Sequence, residues 1–190
     1  MYEIVRTARQ QRQFECTWEY FCRKYHWYND PYAENGIRYL ITLPRQRIWS
    51  RKKVIGTIEF IPYDPNNPYS TVERRFEFSR YEDIMANRDR VWEIDKLCLH
   101  QDYQRKGYFH HFADIFLDHA ARFKPKYYVA LIEKRFYRML RIVYGFHLEQ
   151  RGNPLVGEST ELVPMLFHIE AFQSDIREKK QMELEASSNR

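Results

Sequence analysis

The chain has 190 residues, a formal net charge of +5, 30% charged and 44% hydrophobic residues, the profile of one soluble globular domain without length for a second core. Its 31 basic residues are interleaved with 26 acidic ones, so no basic tract of the kind that binds nucleic acid is present. No run approaches the roughly 20 apolar residues of a membrane span, and three cysteines without a CxxC pair argue against a disulfide framework or structural zinc.

Met1 to Arg6 lacks the apolar run of a secretory signal; with reduced thiols, the expectation is a soluble, cytoplasmic protein. Tyr2 to Thr7 predicts a short strand, and Gln10 to Tyr25 a helix with Phe14, Trp18, Phe21 and Cys22 at helical spacing. Asn29-Asp-Pro-Tyr ends it. Ile37 to Leu43 and Lys53 to Ile61, rich in β-branched and aromatic residues, predict two strands joined by a polar hairpin loop over Arg45 to Lys52. Pro62-Tyr-Asp-Pro-Asn-Asn-Pro-Tyr69 is a dense breaker that opens an insertion lasting to Arg90, with short helical or irregular structure from Phe76 to Met85.

Val91 to Leu99 predicts the next strand, followed by the basic loop Gln104-Arg-Lys-Gly-Tyr-Phe109. Phe109, Phe112, Ala113, Phe116, Leu117 and Ala120 then recur as one helical stripe. Tyr127 to Ile132 predicts a strand parallel to its predecessor, because a helix connects them. A second helix over Lys134 to Tyr144 is expected to bury Phe136, Met139, Leu140 and Val143, with Gly145 left-handed past its end. Phe146 to Glu149 and Leu162 to Ile169 predict two final strands around a turn at Arg151 to Gly157. Beyond Ser174 the chain becomes polar and is expected to fray. The organisation is one domain over 1–173, an insertion at 62–90 and a polar tail over 174–190.

The order strand, basic glycine-containing loop, helix is how a chain builds a phosphate site. A helix N-terminus exposes unpaired N–H groups and the positive end of its dipole. Gln104, Arg105, Lys106 and Gly107 stand where an anion would meet them, and Gly107 permits positive φ and close backbone approach. On the preceding strand, alternation puts Glu93 and Asp95 on one face. A partly buried carboxylate there, its pKa raised, could accept a proton directly or through water; the plainer alternative is a structural carboxylate paired with Lys96 or an arginine. His110, His111, Asp114, Asp118 and His119 lie off the apolar stripe, so a solvated helix face is the better reading than a metal site. Cys98 has no activating partner and reads as a small buried apolar residue.

The element order over Met1 to Phe172 resembles that of the GNAT N-acyltransferase superfamily. Gln104-Arg-Lys-Gly-Tyr-Phe109 is similar to its (Gln/Arg)-x-x-Gly-x-(Gly/Ala) signature, departing at Phe109. Trp92-Glu-Ile-Asp-Lys-Leu97 resembles the Trp-Glu-x-Ser-Arg-Phe strand of the acyl-homoserine-lactone synthase branch, and Val54-Ile-Gly-Thr-Ile58 its Val-x-Gly-Thr strand. Met139-Leu-Arg-Ile-Val-Tyr-Gly-Phe146 is similar to its Arg-x-Gly-Trp helix exit. Lys96 stands where that branch has Arg, and Glu59-Phe60 where it has Arg-Leu.

The resemblance implies an α/β fold of the GNAT acyl-CoA N-acyltransferase type, a central mixed sheet of about six to seven strands flanked by helices. It implies transfer of an acyl group, acetyl first, from acyl-CoA directly to a small-molecule amine. Leu97, Cys98 and Leu99 would hold the donor's pantetheine and carbonyl through their backbone. Gln104, Arg105, Lys106, Gly107, Tyr108 and Phe109 would bind its pyrophosphate, and Glu93 would be the base. Arg141 occupies the position where the family carries the tyrosine that protonates the thiolate. Tyr137 and Tyr144, expected on the helix face opposite the buried stripe, are the substitutes; both also read as rim aromatics. The insertion would wall or cover the acceptor site, with Tyr63, Tyr69, Phe76, Phe78 and Tyr81 lining a tunnel for a longer acyl chain. Two alternatives stay open: a synthase of the autoinducer type using acyl-carrier protein and S-adenosylmethionine, and a non-catalytic acyl-CoA-binding module. No metal is implied, and the oligomeric state is open, a homodimer included.

Overall fold

The structure, a computed structural model, describes residues 1–44, 52–156 and 160–188; the expected hairpin loop, Lys52 apart, lies outside them. β1 (Tyr2–Ile4) leads into α1 (Ala8–Tyr25). This helix starts where Thr7 and Gln10 form a reciprocal capping box and ends at His26, which is left-handed. Phe14, Trp18, Phe21 and Cys22 are its buried stripe, as their spacing predicts.

β2 (Ile37–Thr42), β3 (Val54–Pro62) and β4 (Val91–Leu99) continue antiparallel from β1, and β5 (Tyr127–Glu133) lies parallel to β4. β8 (Glu161–His168) returns antiparallel to β5, with β6 (Leu148–Gln150) and the two-residue β7 (Leu155–Val156) both paired to it. The result is one mixed eight-stranded sheet in the order β1-β2-β3-β4-β5-β8-β6 with β7 beside β8. It is one strand larger than expected, because the turn after Arg151 pairs briefly with β8.

One face of the sheet carries α3 (His110–Phe123), α4 (Lys134–Ile142) and the first turns of α5 (Ile169–Ser188). Their shared core is aromatic: Phe60, Phe112, Phe116, Tyr128, Phe146, Phe167 and Phe172 are buried together. The other face carries α1 and the insertion. The insertion folds into two short 3-10 turns around α2 (Glu82–Met85), and its Tyr63, Val72, Phe78 and Ile84 pack on Val91, Tyr127, Val129 and Leu166. It is therefore a plug over the β4–β5–β8 face. Tyr63 and Phe78 spend their apolar area on that contact and Tyr69 points to solvent, so the five aromatics do not line a tunnel.

Several expectations are corrected. The helix after β5 stops at Ile142, two residues early, which leaves Val143 69% exposed and buries Tyr137 instead. His119 lies in the core rather than on a solvated face. Residues beyond Ser174 continue α5 to Ser188 instead of fraying. The helix is anchored by Ile169, Phe172 and Ile176, which pack on the aromatic core. No helix among the described residues is long and apolar enough to cross a membrane.

Candidate active site

β4 and β5 pair at only three positions, Val91 with Tyr127, Trp92 with Tyr128 and Glu93 with Val129. Beyond them Ile94 to Leu99 stay with β3 while Ala130 to Glu133 stay with β8, so the two strands part and a wedge opens between them. Its cause is a bulge in β4: Thr57 pairs with Cys98 but Glu59 with Asp95, so three steps on β4 oppose two on β3. The surplus residue is taken up at Lys96, a non-glycine residue at φ 49°. Gly56 fits opposite because a Cβ there would stand 2.6 Å from the Cys98 carbonyl oxygen. Leu97, Cys98 and Leu99 thus lie along the strand edge that borders the wedge.

The wedge leads to the loop before α3. Arg105 (φ 58°) and Gly107 (φ 81°) are both left-handed, which turns the backbone so that successive N–H groups converge. Those of Arg105, Lys106, Gly107, Tyr108 and Phe109 make no short hydrogen bond to a described residue, the turn over 104–109 holding them only loosely. Phe109, the N-cap of α3, supplies no side-chain cap either. Gln104 braces the loop by donating from Nε2 to the Leu99 carbonyl at 2.9 Å. Arg105 and Lys106 are exposed beside these N–H groups, a combination of charge and backbone donors suited to an anion. The departure at Phe109 is absorbed because its ring leaves the loop for the core, against Phe112, Phe136 and Tyr144.

On the opposite face, β4 carries its charged residues. Lys96 Nζ is fully buried, 2.6 Å from Asp95 Oδ2 and 3.0 Å from Glu59 Oε2, and Arg38 Nε reaches Glu59 Oε1 at 2.7 Å. Burial alone would lower the Lys96 ammonium, yet Asp95 and Glu59 together hold its pKa above the usual range. The cluster borders the segment after α1, where Lys96 Nζ lies 3.4 Å from the Pro31 carbonyl and Asp30 pairs with Arg75 of the insertion at 3.2 Å.

Glu93 is also fully buried but joins none of these ion pairs. Ser70 Oγ donates to its Oε1 at 2.7 Å; the Thr71 N–H and Oγ1 both donate to Oε2 at 3.0 Å. Burial pushes its pKa up to about 7 against the pull of those three hydrogen bonds, with Asp95 adding a further push. The sequence-level alternative of a pairing with Lys96 or an arginine is thereby corrected. These contacts of Ser70 and Thr71 with the candidate base are not legible in the sequence, since the two residues lie in an aperiodic stretch more than twenty residues away.

The two tyrosines part company. Tyr137 is a core residue on the buried side of α4, its hydroxyl 3.5 Å from the Leu148 carbonyl and accepting from Arg141 at 3.4 Å, which corrects its expected placement opposite the stripe. Tyr144 lies past the end of α4, 37% exposed, its ring centroid 4.3 Å from that of Phe109 at the start of α3. Cys98 is buried 3.0 Å from Thr57 Oγ1 with its thiol pushed up to about 12 by burial, so it is no nucleophile. His110, His111 and Asp114 do come within reach of one ion on the outer first turn of α3, but His111 and Asp114 pair with each other there at 3.5 Å.

A mixed sheet with a bulged strand, a parting parallel pair and an anion loop at the following helix is the GNAT acyltransferase fold. Comparison with protein-family models and with curated proteins gives no match. Solved structures do match. The CoA-dependent acyl-homoserine lactone synthase BjaI, solved with SAM and isopentyl-CoA, superposes with a TM-score of 0.65 at 14% identity over 95% of this chain and 88% of its own. TofI in an apo form gives 0.64 at 16% identity over 89% and 91%. A Lactobacillus plantarum protein assigned as an N-acetyltransferase gives 0.60 at 10% identity over 89% and 97%. At such identities the likeness is one of fold.

Proposed function

We propose that the protein is an N-acyltransferase that moves an acyl group from a CoA thioester directly to a small-molecule amine. The observation that carries this reading is the wedge between β4 and β5, leading to five consecutive N–H groups that make no short hydrogen bond among the described residues. A thioester arm laid in the wedge would meet the edge of Leu97 to Leu99, with its pyrophosphate on the cradle of Gln104 to Phe109. Backbone N–H groups aimed at the carbonyl are worth about 3 kcal/mol in the barrier of an acyl transfer.

The amine must lose a proton before attack. Glu93, with a pKa near 7, is matched to that task at neutral pH. For the departing thiolate, Tyr144 is the better donor, because it lies against Phe109 at the start of α3 and is partly exposed while Tyr137 is enclosed. BjaI was solved with isopentyl-CoA, which supports CoA as the donor here; acetyl is the simplest acyl group to begin with.

A second reading, an acyl-carrier-protein donor, is favoured by one observation. Arg105 and Lys106 on the loop and Arg135 and Arg138 on α4 are exposed with no ion-pair partner among the described residues, a surface suited to an acidic carrier.

Isothermal titration with acetyl-CoA and octanoyl-CoA, repeated on Gly107→Trp, tests the donor site. A Cβ at Gly107 meets open space but its φ of +81° disfavours any side chain, so the variant should strain and cover the cradle. Saturable binding lost in Gly107→Trp is the expected result. No binding of either ligand by the native chain overturns the CoA reading in favour of the carrier protein. Binding without turnover of any primary amine would mark a non-catalytic module.

A further inference from the structure

Glu93 is enclosed, so a proton reaches it only through a group already touching it. Among the described residues there are three such groups. The Thr71 backbone N–H has no lone pair to receive a proton. Ser70 Oγ donates to Glu93 and accepts from the N–H groups of Glu73 at 2.9 Å and Val72 at 3.4 Å, which fills both its acceptor sites. Thr71, 6% exposed, is buried less completely than Glu93 at 0%; its Oγ1 donates to Glu93 at 3.0 Å and accepts from no donor among the described residues, which leaves lone pairs for a further donor. The same turn carries Arg75, whose ion pair with Asp30 places it at the seam between the insertion and the segment after α1.

We propose, resting on the acyl-transfer reading above, that the Thr71 hydroxyl is the proton relay between the acceptor amine and Glu93. An N–H bond of the acceptor ammonium breaks and its proton forms an O–H bond at a Thr71 Oγ1 lone pair. The proton already on Oγ1 passes to Glu93 Oε2. Thr71 ends as it began, Glu93 is a neutral acid, and the amine keeps the electron pair with which it attacks the thioester. The insertion thereby supplies a catalytic group in addition to covering the sheet. Among the described residues, Asp95 on the same strand and Tyr63 of the insertion, which donates to Glu73, are the other titratable groups that act on this carboxyl.

The test is the pH dependence of kcat/KM for acetyl transfer to a panel of primary amines, measured on the native chain, Thr71→Val, Thr71→Ser and Glu93→Gln, with solvent-isotope proton inventories. Thermal unfolding confirms that each variant is folded. Thr71→Val keeps the backbone donor to Glu93 and removes only the hydroxyl; a loss of about a hundredfold, the scale of general-base assistance, is expected, with Thr71→Ser restoring most of it. The native proton inventory should be curved, as two protons move together. Thr71→Val activity within about twofold of native, with the same pH profile, overturns the relay while leaving acyl transfer standing. Full activity in Glu93→Gln overturns both base and relay. A native chain that binds acetyl-CoA yet acylates no amine overturns the acyl-transfer reading itself, and the relay with it.

Discussion

Glu93 and His119 are the two buried groups whose charge state the fold changes most clearly, and they pull stability in opposite directions with pH. Burial raises Glu93 from 4.5 to about 7, so the folded chain binds a proton there more tightly than the unfolded chain. That contribution is full below pH 4.5 and is lost as pH rises through 7, amounting to about 3 kcal/mol. His119, stacked 4.0 Å from Phe60 with its Nδ1 2.8 Å from Tyr128 Oη, is lowered from 6.5 to about 3 by burial. Its contribution is present above pH 6.5 and fades as pH falls towards 3. Comparing Glu93→Gln with the native chain by urea unfolding isolates the first term, since His119 is common to both. Gln can accept from Thr71, but the Ser70 hydroxyl has both acceptor sites filled, so the variant carries a cost that does not change with pH; on top of it the variant should gain on the native chain between pH 5 and pH 8 by up to about 3 kcal/mol. A difference that does not change with pH would show that Glu93 is not the titrating group. Lys96 gives a second residue-scale prediction. Removing its ammonium leaves Glu59 with Arg38 alone and takes from Asp95 its ion-pair partner, so Lys96→Met should destabilise by about 3–5 kcal/mol in the same assay, with part regained in Lys96→Met/Asp95→Asn.

The insertion is the element whose role was least legible in the sequence, and the reason is periodicity. α1 and α3 announce themselves through stripes at helical spacing, and β4 through a run of β-favouring residues, so these were read nearly to their ends. Residues 62–90 have no repeating period, and their apolar side chains belong to turns whose geometry is set by contacts with β4, β5 and β8. The contact of Ser70 and Thr71 with Glu93 could not be read for the same reason. Alternation did place Glu93 and Asp95 on one face, but the bulge at Lys96 breaks it one residue later, and α4 ending at Ile142 exchanged Val143 for Tyr137 in the core. If the insertion is a plug, its integrity rests on Phe78, fully buried between the turns and the sheet. Phe78→Ala should cost about 3–5 kcal/mol. Proteolysis should then cut within 62–90 before the rest of the chain; uniform resistance would mean the insertion is held by its polar contacts, Arg151 to Asp83 among them.

At the scale of the molecule, the sheet is two antiparallel blocks, β1 to β4 and β5 with β8, β6 and β7, held edge to edge by three parallel pairs. Past Glu93 the facing edges of the blocks are apart, so amides there are protected by packing more than by the ladder. An extended ligand with its own amide groups, such as the pantetheine arm of CoA, could lie between those edges and bond to both, acting as the missing stretch of sheet. Binding would then join the blocks as well as fill a site. If acyl-CoA is the donor as proposed, at about a hundred times its dissociation constant it should stabilise by about 2.7 kcal/mol, which for a chain of this size is a rise in Tm of about 5–10 °C. Local binding at the cradle alone would give the same rise, so melting does not separate the two. Hydrogen exchange does: joined blocks predict slowed amides over both 94–98 and 130–133 in addition to the loop at 104–109, whereas binding confined to the cradle predicts slowing at the loop and at Leu99, which Gln104 touches, only. Gly107→Trp should abolish both patterns, because an arm whose pyrophosphate finds no cradle loses the anchor that orders it against the two edges.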